Sequence, residues 1–299
     1  MNAGRRQLAL AAGAVALAHA LAVGAGAAVA STPAPAPRTA SETTTTPTPP
    51  TQPAAPQPPA RVVLSNERTV TVWAHPVEEV GIRARPLASS RTIARTRVAT
   101  EDGYPEVYLL LSTLTDAHGR VWVQMRIPGR PNGRIGWVSQ EALGEFQVSR
   151  WLIEISLGQR RLKAYYKGKL RRTAPVGVGK PSSPTPPGHF WIRERFKIGS
   201  RSNPYWPYAF GTSDYSTLTD WPGGGVVGIH GDFGQPRLIP GAPSHGCVRM
   251  HARDIAWLGA HVPVGTPVPI PLIHPVDDCD CRPPVRVNPV GLVRYDVRG

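Results

Sequence analysis

The sequence predicts an all-β protein of two modest domains behind a proline-rich leader. Residues 62–146 break into short alternating or apolar runs separated by Gly/Pro turns, the pattern of a small barrel or sandwich. Residues 150–273 continue in strand-like runs with one short helical stretch near the end, and residues 1–60 show neither pattern. At 299 residues the chain has room for two such domains plus extensions.

Residues 1–30 read as an export signal. Arg5 and Arg6 give a charged start, residues 8–30 are apolar, and Ala28-Val29-Ala30 is a small-residue cleavage site. The apolar run is mostly Ala and Gly and contains His19, which makes a poor permanent span. Its length still leaves an uncleaved anchor open, since about 20 residues cross a bilayer. Arg5-Arg6-Gln7-Leu8 is similar to a twin-arginine signal without the usual preceding Ser/Thr, so the export route stays open. Residues 31–60 are dominated by Pro, Thr and Ala, cannot bury a core and are expected to be disordered. In polyproline form, at about 3.1 Å per residue, they would reach on the order of 90 Å. That would hold a domain off a membrane and inside a wall; a plain spacer is equally consistent.

The net charge is +14, from 34 Lys+Arg against 20 Asp+Glu. Such an excess suits a polyanionic neighbour such as nucleic acid, anionic lipid or an anionic wall polymer. The positive residues are scattered, with no lysine-rich run and no nucleic-acid-binding motif, so nucleic acid is not expected and a basic solvated surface explains the charge as well. Cysteines occur at 247, 279 and 281, and an odd count leaves at least one thiol free. Cys279-Asp280-Cys281 is too tight for an easy internal disulfide; a redox pair, a weak metal site and surface thiols stay open.

Each predicted element has a local reason. Val70 and Val72 alternate with Thr69 and Thr71, residues 107–111 are an apolar run, and the runs 121–125 and 135–138 flank a turn. Asn132-Gly133 inside that turn is a strong hairpin signal. Trp73, Trp122 and Trp137 read as core rather than groove. In the second half Ile153, Ile155 and Leu157 alternate with Glu154 and Ser156, and further strands are expected at 162–166 and 173–179. Residues 201–225 are aromatic and loop-like, as plain loop packing would be, and residues 223–225 could act as a glycine hinge. Strands are expected at 225–230 and 247–250, a short helix at 251–261, and a closing strand opening at Gly265-Thr266-Pro267-Val268. The tail, 274–299, is Pro-rich and basic, and its sequence points to no activity.

The chemistry concentrates in residues 228–250. His230 is followed by a Pro/Gly-rich loop ending at Ser244-His245-Gly246-Cys247, with Val248-Arg249-Met250 after it. A cysteine attacks only as its thiolate, and a free pKa of about 8.5 leaves little of that at neutral pH. A neighbouring imidazole can take the proton and hold the ion pair. Gly246 permits close backbone approach, and such a turn can aim successive N–H groups at one oxygen. A lone cysteine is more often a small buried hydrophobe. Two histidines, a serine and an arginine in the same segment turn the reading toward catalysis.

His230 with Ser244-His245-Gly246-Cys247-Val248-Arg249 resembles the active-site motif of the YkuD-type L,D-transpeptidases: a histidine, a spacer, Ser/Thr-His-Gly-Cys, a hydrophobic residue, then Asn or Arg. The resemblance spans roughly residues 150–273 and implies a β-sandwich catalytic domain. It includes the family's Thr-Pro-x-Gly element, here stretched by one proline to Thr185-Pro186-Pro187-Gly188, and its Gly-Thr-Pro-Val at 265–268. Trp-containing strands followed by Gly136-Trp137-Val138 are similar to bacterial SH3-type domains, so residues 61–147 are expected to be an SH3-like barrel.

The resemblance implies peptide exchange on peptidoglycan stems outside the membrane. Cys247 would be the nucleophile and His230 its base. Gly231 offers no side chain to orient the imidazole, so a backbone carbonyl would do so, with Asp232 a further candidate partner. N–H groups of His245, Gly246 and Cys247 would form an oxyanion hole, Ser244 and His245 would bind the stem, and Arg249 would pair with a substrate carboxylate. No cofactor is implied. His230, Asp232, His245, Cys247 and His251 meet none of the common zinc spacings, so no metal is expected. Stem peptides are the expected partner, anionic wall polymers a further one, and membrane contact only through an uncleaved signal. A hydrolase using the same residues and a non-catalytic wall-binding protein are the alternatives.

Overall fold

The structure, a computed structural model, describes residues 60–220 and 222–272. The export signal, nearly all of the 31–60 linker, and the tail with Cys279 and Cys281 lie outside the described residues. The all-β expectation is met, with one helix.

The first domain contributes β1 (Ala60–Val63), β2 (Thr71–Ala74), β3 (Gly81–Arg83), β4 (Thr92–Arg95), β5 (Tyr108–Thr115), β6 (Val121–Arg126), β7 (Ile135–Ser139) and β8 (Gln147–Ser149). They form one antiparallel sheet ordered β4-β3-β7-β6-β5-β2-β8, with β1 also on β5. β6 and β7 make the hairpin that Asn132-Gly133 predicts, pairing Arg126 with Ile135, and Gly133 takes φ +82°. Ala74, Ile82, Leu110, Val123 and Met125 are fully buried in its core. Trp122 and Trp137 are buried as expected, and Trp73, half-buried, packs against the Val107, Leu109 and Trp191 cluster and on Gly265 of the second domain.

The second domain contributes β9 (Trp151–Ser156), β10 (Arg161–Tyr166), β11 (Lys169–Gly179), β12 (Gly188–Lys197), β13 (Tyr208–Tyr215), β14 (Val226–His230), β15 (Gly241–Ser244), β16 (Val248–Met250), α1 (Ala252–His261) and β17 (Pro267–Ile270). The sheet runs β17-β12-β13-β14-β16-β11-β10-β9, with β15 on β11, and curls so far that β9 lies against β17. It is thus nearly closed, a barrel-like form of the expected layered sheet. Helix α1 lays Ile255 and Leu258 onto the core beside Ile153, Leu162, Val176 and Val248.

One expectation is corrected. Residues 201–225 are not all loop, because β13 occupies their middle. Its Gly211, Ser213 and Asp214 are weak strand formers, which hides it from a sequence reading. It is a strand because β12 and β14 flank it and take up its backbone groups.

The two domains meet across a buried polar network. Arg193 on β12, 1% exposed at its side chain, donates from Nε to Glu106 Oε1 at 2.6 Å and pairs through Nη2 with Glu106 Oε2 and with Glu101 Oε2 at 3.0 Å. Its Nη1 donates to the Tyr215 hydroxyl at 3.0 Å, and Arg97 closes the ring on Glu101 at 2.8 Å. Trp191 Nε1 donates to Val107 O at 2.7 Å within a small apolar cluster with Leu109. Removing one partner of a buried pair strands the other charge, typically at about 3–5 kcal/mol. Glu106→Ala should therefore lower unfolding stability in urea by about that much; a loss below about 1 kcal/mol would show that the pair does not hold the interface.

Candidate active site

The pairing of β14 with β16 builds the site. The two run parallel, with Ile229 opposite Val248 and His230 opposite Arg249. Alternate residues face opposite sides of a strand. Val227, Ile229, Val248 and Met250 therefore enter the core, each 2% exposed or less. Gly228 and His230 share the other face with Arg249 and with Cys247, which immediately precedes β16. Gly228 N–H donates to Cys247 Sγ at 3.4 Å. A Cβ at Gly228 would lie 3.6 Å from the His230 ring and 3.9 Å from Sγ, which puts imidazole and thiol side by side.

Hydroxyl groups hold the turn that carries the thiol. Ser183 Oγ donates to His245 O at 2.8 Å, Thr185 Oγ1 to Gly246 O at 2.7 Å, and Ser244 Oγ to Cys247 O at 2.6 Å. Lys180 N–H donates to Ser244 O at 2.9 Å. In a trans peptide the N–H points opposite to the carbonyl before it. Fixing the Gly246 carbonyl therefore fixes the direction of Cys247 N–H. Gly246 N–H itself donates to Ser244 Oγ at 3.2 Å. Gly246 adopts φ +127°, and a Cβ there would sit 3.2 Å from the Ser216 side chain, so the turn needs glycine on both counts.

The imidazole is oriented by main chain. His230 Nδ1 lies 2.8 Å from Gly231 O, which can only accept, so Nδ1 carries the proton and Nε2 is the acceptor of the neutral ring. The main chain of Tyr205 and Trp206 lies directly over Gly231, where any Cβ would collide with Trp206 O. Tyr205 then meets the His230 ring edge-on at 4.6 Å and Phe233 at 5.1 Å. Asp232 lies 4.0 Å from His251 Nδ1.

Arg249 lies across the mouth. Its guanidinium sits 4.4 Å over the Phe233 ring and donates from Nη1 to Gln235 Oε1 at 3.1 Å. Its buried Nε has no partner among the described residues. Tyr205, Ser216, Val226, Phe233 and Ser244 join His230, His245, Cys247 and Arg249 around a pocket of about 180 Å³. A larger groove of about 510 Å³ runs along the first domain past Arg120, Glu141 and Phe146, but its lining includes no cysteine and no histidine.

Burial sets the resting charge state. It pushes the His230 pKa down to about 4, against a weaker opposing pull from the Gly231 bond. It pushes the Cys247 thiol up, and the Gly228 N–H and Arg249 only partly offset this. Burial thus disfavours the charged form of each group.

All seven site residues expected from the sequence, Cys247, His230, Gly231, Ser244, His245, Gly246 and Arg249, lie together here. The sequence reading did not single out Ser183, Ser216, Phe233 or Gln235. Thr185 stood in the Thr-Pro-Pro-Gly element without a role.

The YkuD family model, an L,D-transpeptidase catalytic domain, matches residues 150–270. Residues 150–270 form a YkuD-type L,D-transpeptidase catalytic domain. A Bacillus licheniformis protein named as the L,D-transpeptidase YkuD is 39% identical over 118 residues, covering 40% of this chain and 64% of the relative. Its Bacillus subtilis namesake is 34% identical over the same coverage. L,D-transpeptidase 1 of Mycobacterium tuberculosis is 28% identical over 150 residues, 47% of this chain and 58% of the relative. The chain thus spans 64% of the length of the two Bacillus relatives.

Near the Cys247 pocket lies a second perturbed group. Asp214 on β13 is fully buried, accepts from Asn132 Nδ2 at 2.7 Å, and has its Oδ2 unpartnered among the described residues. Burial pushes its pKa up to about 8, so the native state holds a proton that the unfolded chain releases near pH 4. Stability from this group is present at low pH and lost as pH rises toward 8. His230 has the opposite slope, but only below its unfolded pKa of 6.5. Between pH 6.5 and 8 the melting temperature of the wild type should therefore fall, and Asp214→Asn should flatten that fall. Equal slopes in a calorimetric pH series would refute a neutral Asp214.

Proposed function

We propose that the protein is a cysteine-dependent L,D-transpeptidase acting on peptidoglycan stem peptides outside the membrane. One observation carries the reading: Cys247, a neutral His230 tied to Gly231 O, and a hydroxyl-held turn converge in one pocket. Binding alone needs neither a thiol there nor an oriented base beside it. The +14 charge and the export-type leader support residence in an anionic wall.

Cys247 Sγ attacks the carbonyl carbon of the third stem residue while its proton passes to His230 Nε2. The oxyanion is held by the N–H groups of the 245–247 turn, where Gly246 N–H exchanges its Ser244 bond for the stronger charged acceptor. The C–N bond breaks, His230 returns the proton to the departing amine, and D-Ala leaves. An amine of a second stem then attacks the thioester, gives its proton to His230 and expels the Cys247 sulfur, which recovers the proton. No ATP is available outside the membrane, so the new amide draws on the old one, with the thioester as intermediate. Burial disfavours both the thiolate and the imidazolium, so in this reading proton transfer accompanies attack. Arg249, with a buried Nε still to be satisfied, pairs with a substrate carboxylate, and Ser244 and His245 line its approach.

Intact-protein mass spectrometry of the full chain with a disaccharide-tetrapeptide tests this. A Cys247 adduct lacking D-Ala, followed by dimer, is expected. Tripeptide alone would make the protein a hydrolase, and full activity in Cys247→Ala would sink both. Thr185→Val removes the hydroxyl that aims Cys247 N–H. Its kcat should fall about 100-fold or more, the loss typical of one oxyanion donor, with KM changed far less. An unchanged kcat would remove Thr185 from the oxyanion argument.

A further inference from the structure

The Ser216 part of the pocket wall is backed by side chains of the first domain. Ser216, which lines the pocket and packs on Gly246, follows directly on β13, and the chain comes back beside it at Gly225. Ser216 N–H donates to Gly225 O at 2.9 Å, and Leu218 N–H to Ser216 Oγ at 3.2 Å.

Three carbonyls here accept from Arg130, which lies in the turn between β6 and β7. Its Nε and Nη2 donate to Ser216 O at 3.1 and 2.8 Å, Nη2 also to Leu218 O at 3.1 Å, and Nη1 to Gly224 O at 2.9 Å. The guanidinium lies 5.1 Å over the Tyr215 ring. Asn132, two residues on, accepts from Tyr215 N–H at 3.1 Å and donates to Tyr215 O at 2.9 Å and to Asp214 at 2.7 Å. One side chain thus gathers the carbonyls of Ser216, Leu218 and Gly224, while its neighbour extends the edge of β13 as a further strand residue would. Only a planar fork with five donors reaches all three acceptors; an ammonium has no such geometry.

We infer that Arg130 is a positioning residue for substrate: the first domain, through Arg130 and Asn132, holds the main chain at Tyr215, Ser216, Leu218 and Gly224, and so fixes Ser216 as part of the wall of the Cys247 pocket. This rests on reading that pocket as the acyl-transfer site. A stem peptide entering beside Ser216 meets a wall whose shape is set by a domain that contributes no reacting group.

The test uses the full chain with Arg130→Ala, Arg130→Lys and Asn132→Ala, and Arg91→Ala as an exposed charge control. Amide exchange is read at residues 216–226, iodoacetamide alkylation is timed at Cys247, and KM and kcat are measured on the disaccharide-tetrapeptide. Arg130→Ala should speed exchange at Ser216 and Leu218 about tenfold, change the alkylation rate, and raise KM roughly fivefold with kcat within about twofold. Arg130→Lys should fail to restore these values, and Arg91→Ala should match wild type. Unchanged exchange and KM would overturn the inference. So would unfolding of both Arg130→Ala and Asn132→Ala, because that would make the contact a support of the whole fold. If the wild type turns over no stem peptide, the functional reading fails while exchange and alkylation still decide the role of Arg130.

Discussion

The parallel pairing of β14 with β16 is the constraint on which the rest of the site depends. Both strands bury one face completely, so their register is fixed by core packing. A one-residue slip would carry His230 into the core and turn Ile229 outward. The thiol and the imidazole are therefore neighbours because Val227, Ile229, Val248 and Met250 have nowhere else to go. The core sets the catalytic geometry before any polar contact is made, and polar contacts then refine it.

The refinement follows one rule: each carbonyl of the nucleophile turn is held by a donor from behind. Lys180 N–H, Ser183, Thr185 and Ser244 hold four successive carbonyls. Peptide planarity converts those bonds into a direction for the N–H groups on the other side. The same enclosure that shields these bonds also desolvates His230 and Cys247 and disfavours the charged form of each. Burial thus works against the thiolate in the free protein while strengthening the electrostatic stabilisation that an oxyanion would receive.

What the sequence makes legible divides along the same line. The all-β class, the β6–β7 hairpin, the helix at Ala252–His261 and the segment carrying Cys247 and His230 were readable, because periodicity, turn chemistry and a compact motif are local signals. Strand β13 was not, because Gly211, Ser213 and Asp214 are strand-like only between β12 and β14. Ser183 and Thr185 lie about sixty residues from the carbonyls they hold, and a serine two positions before a Thr-Pro-Pro-Gly run carries no sign of its partner. Phe233 takes φ +59°, a conformation that its residue type does not announce. Asn132 was legible as a turn residue, and that reading concealed its second use across the interface.

That second use depends on how the domains are registered. Buried ion pairs are often no better for stability than apolar packing, and their best attested use is to fix one arrangement among several. The Arg193–Glu106 pair, with Glu101, Arg97 and Tyr215 around it, suits that use: an apolar contact between Trp191 and Leu109 alone would tolerate sliding, whereas a multiply bonded guanidinium would not. Tyr215 belongs both to this network and to the Asn132 contact, so the register set at Arg193 passes along β13 to the start of the pocket wall. Arg130 is exposed and its acceptors are main-chain carbonyls that water could equally well satisfy. It finds all three together only because the buried network has already placed the β6–β7 turn beside them.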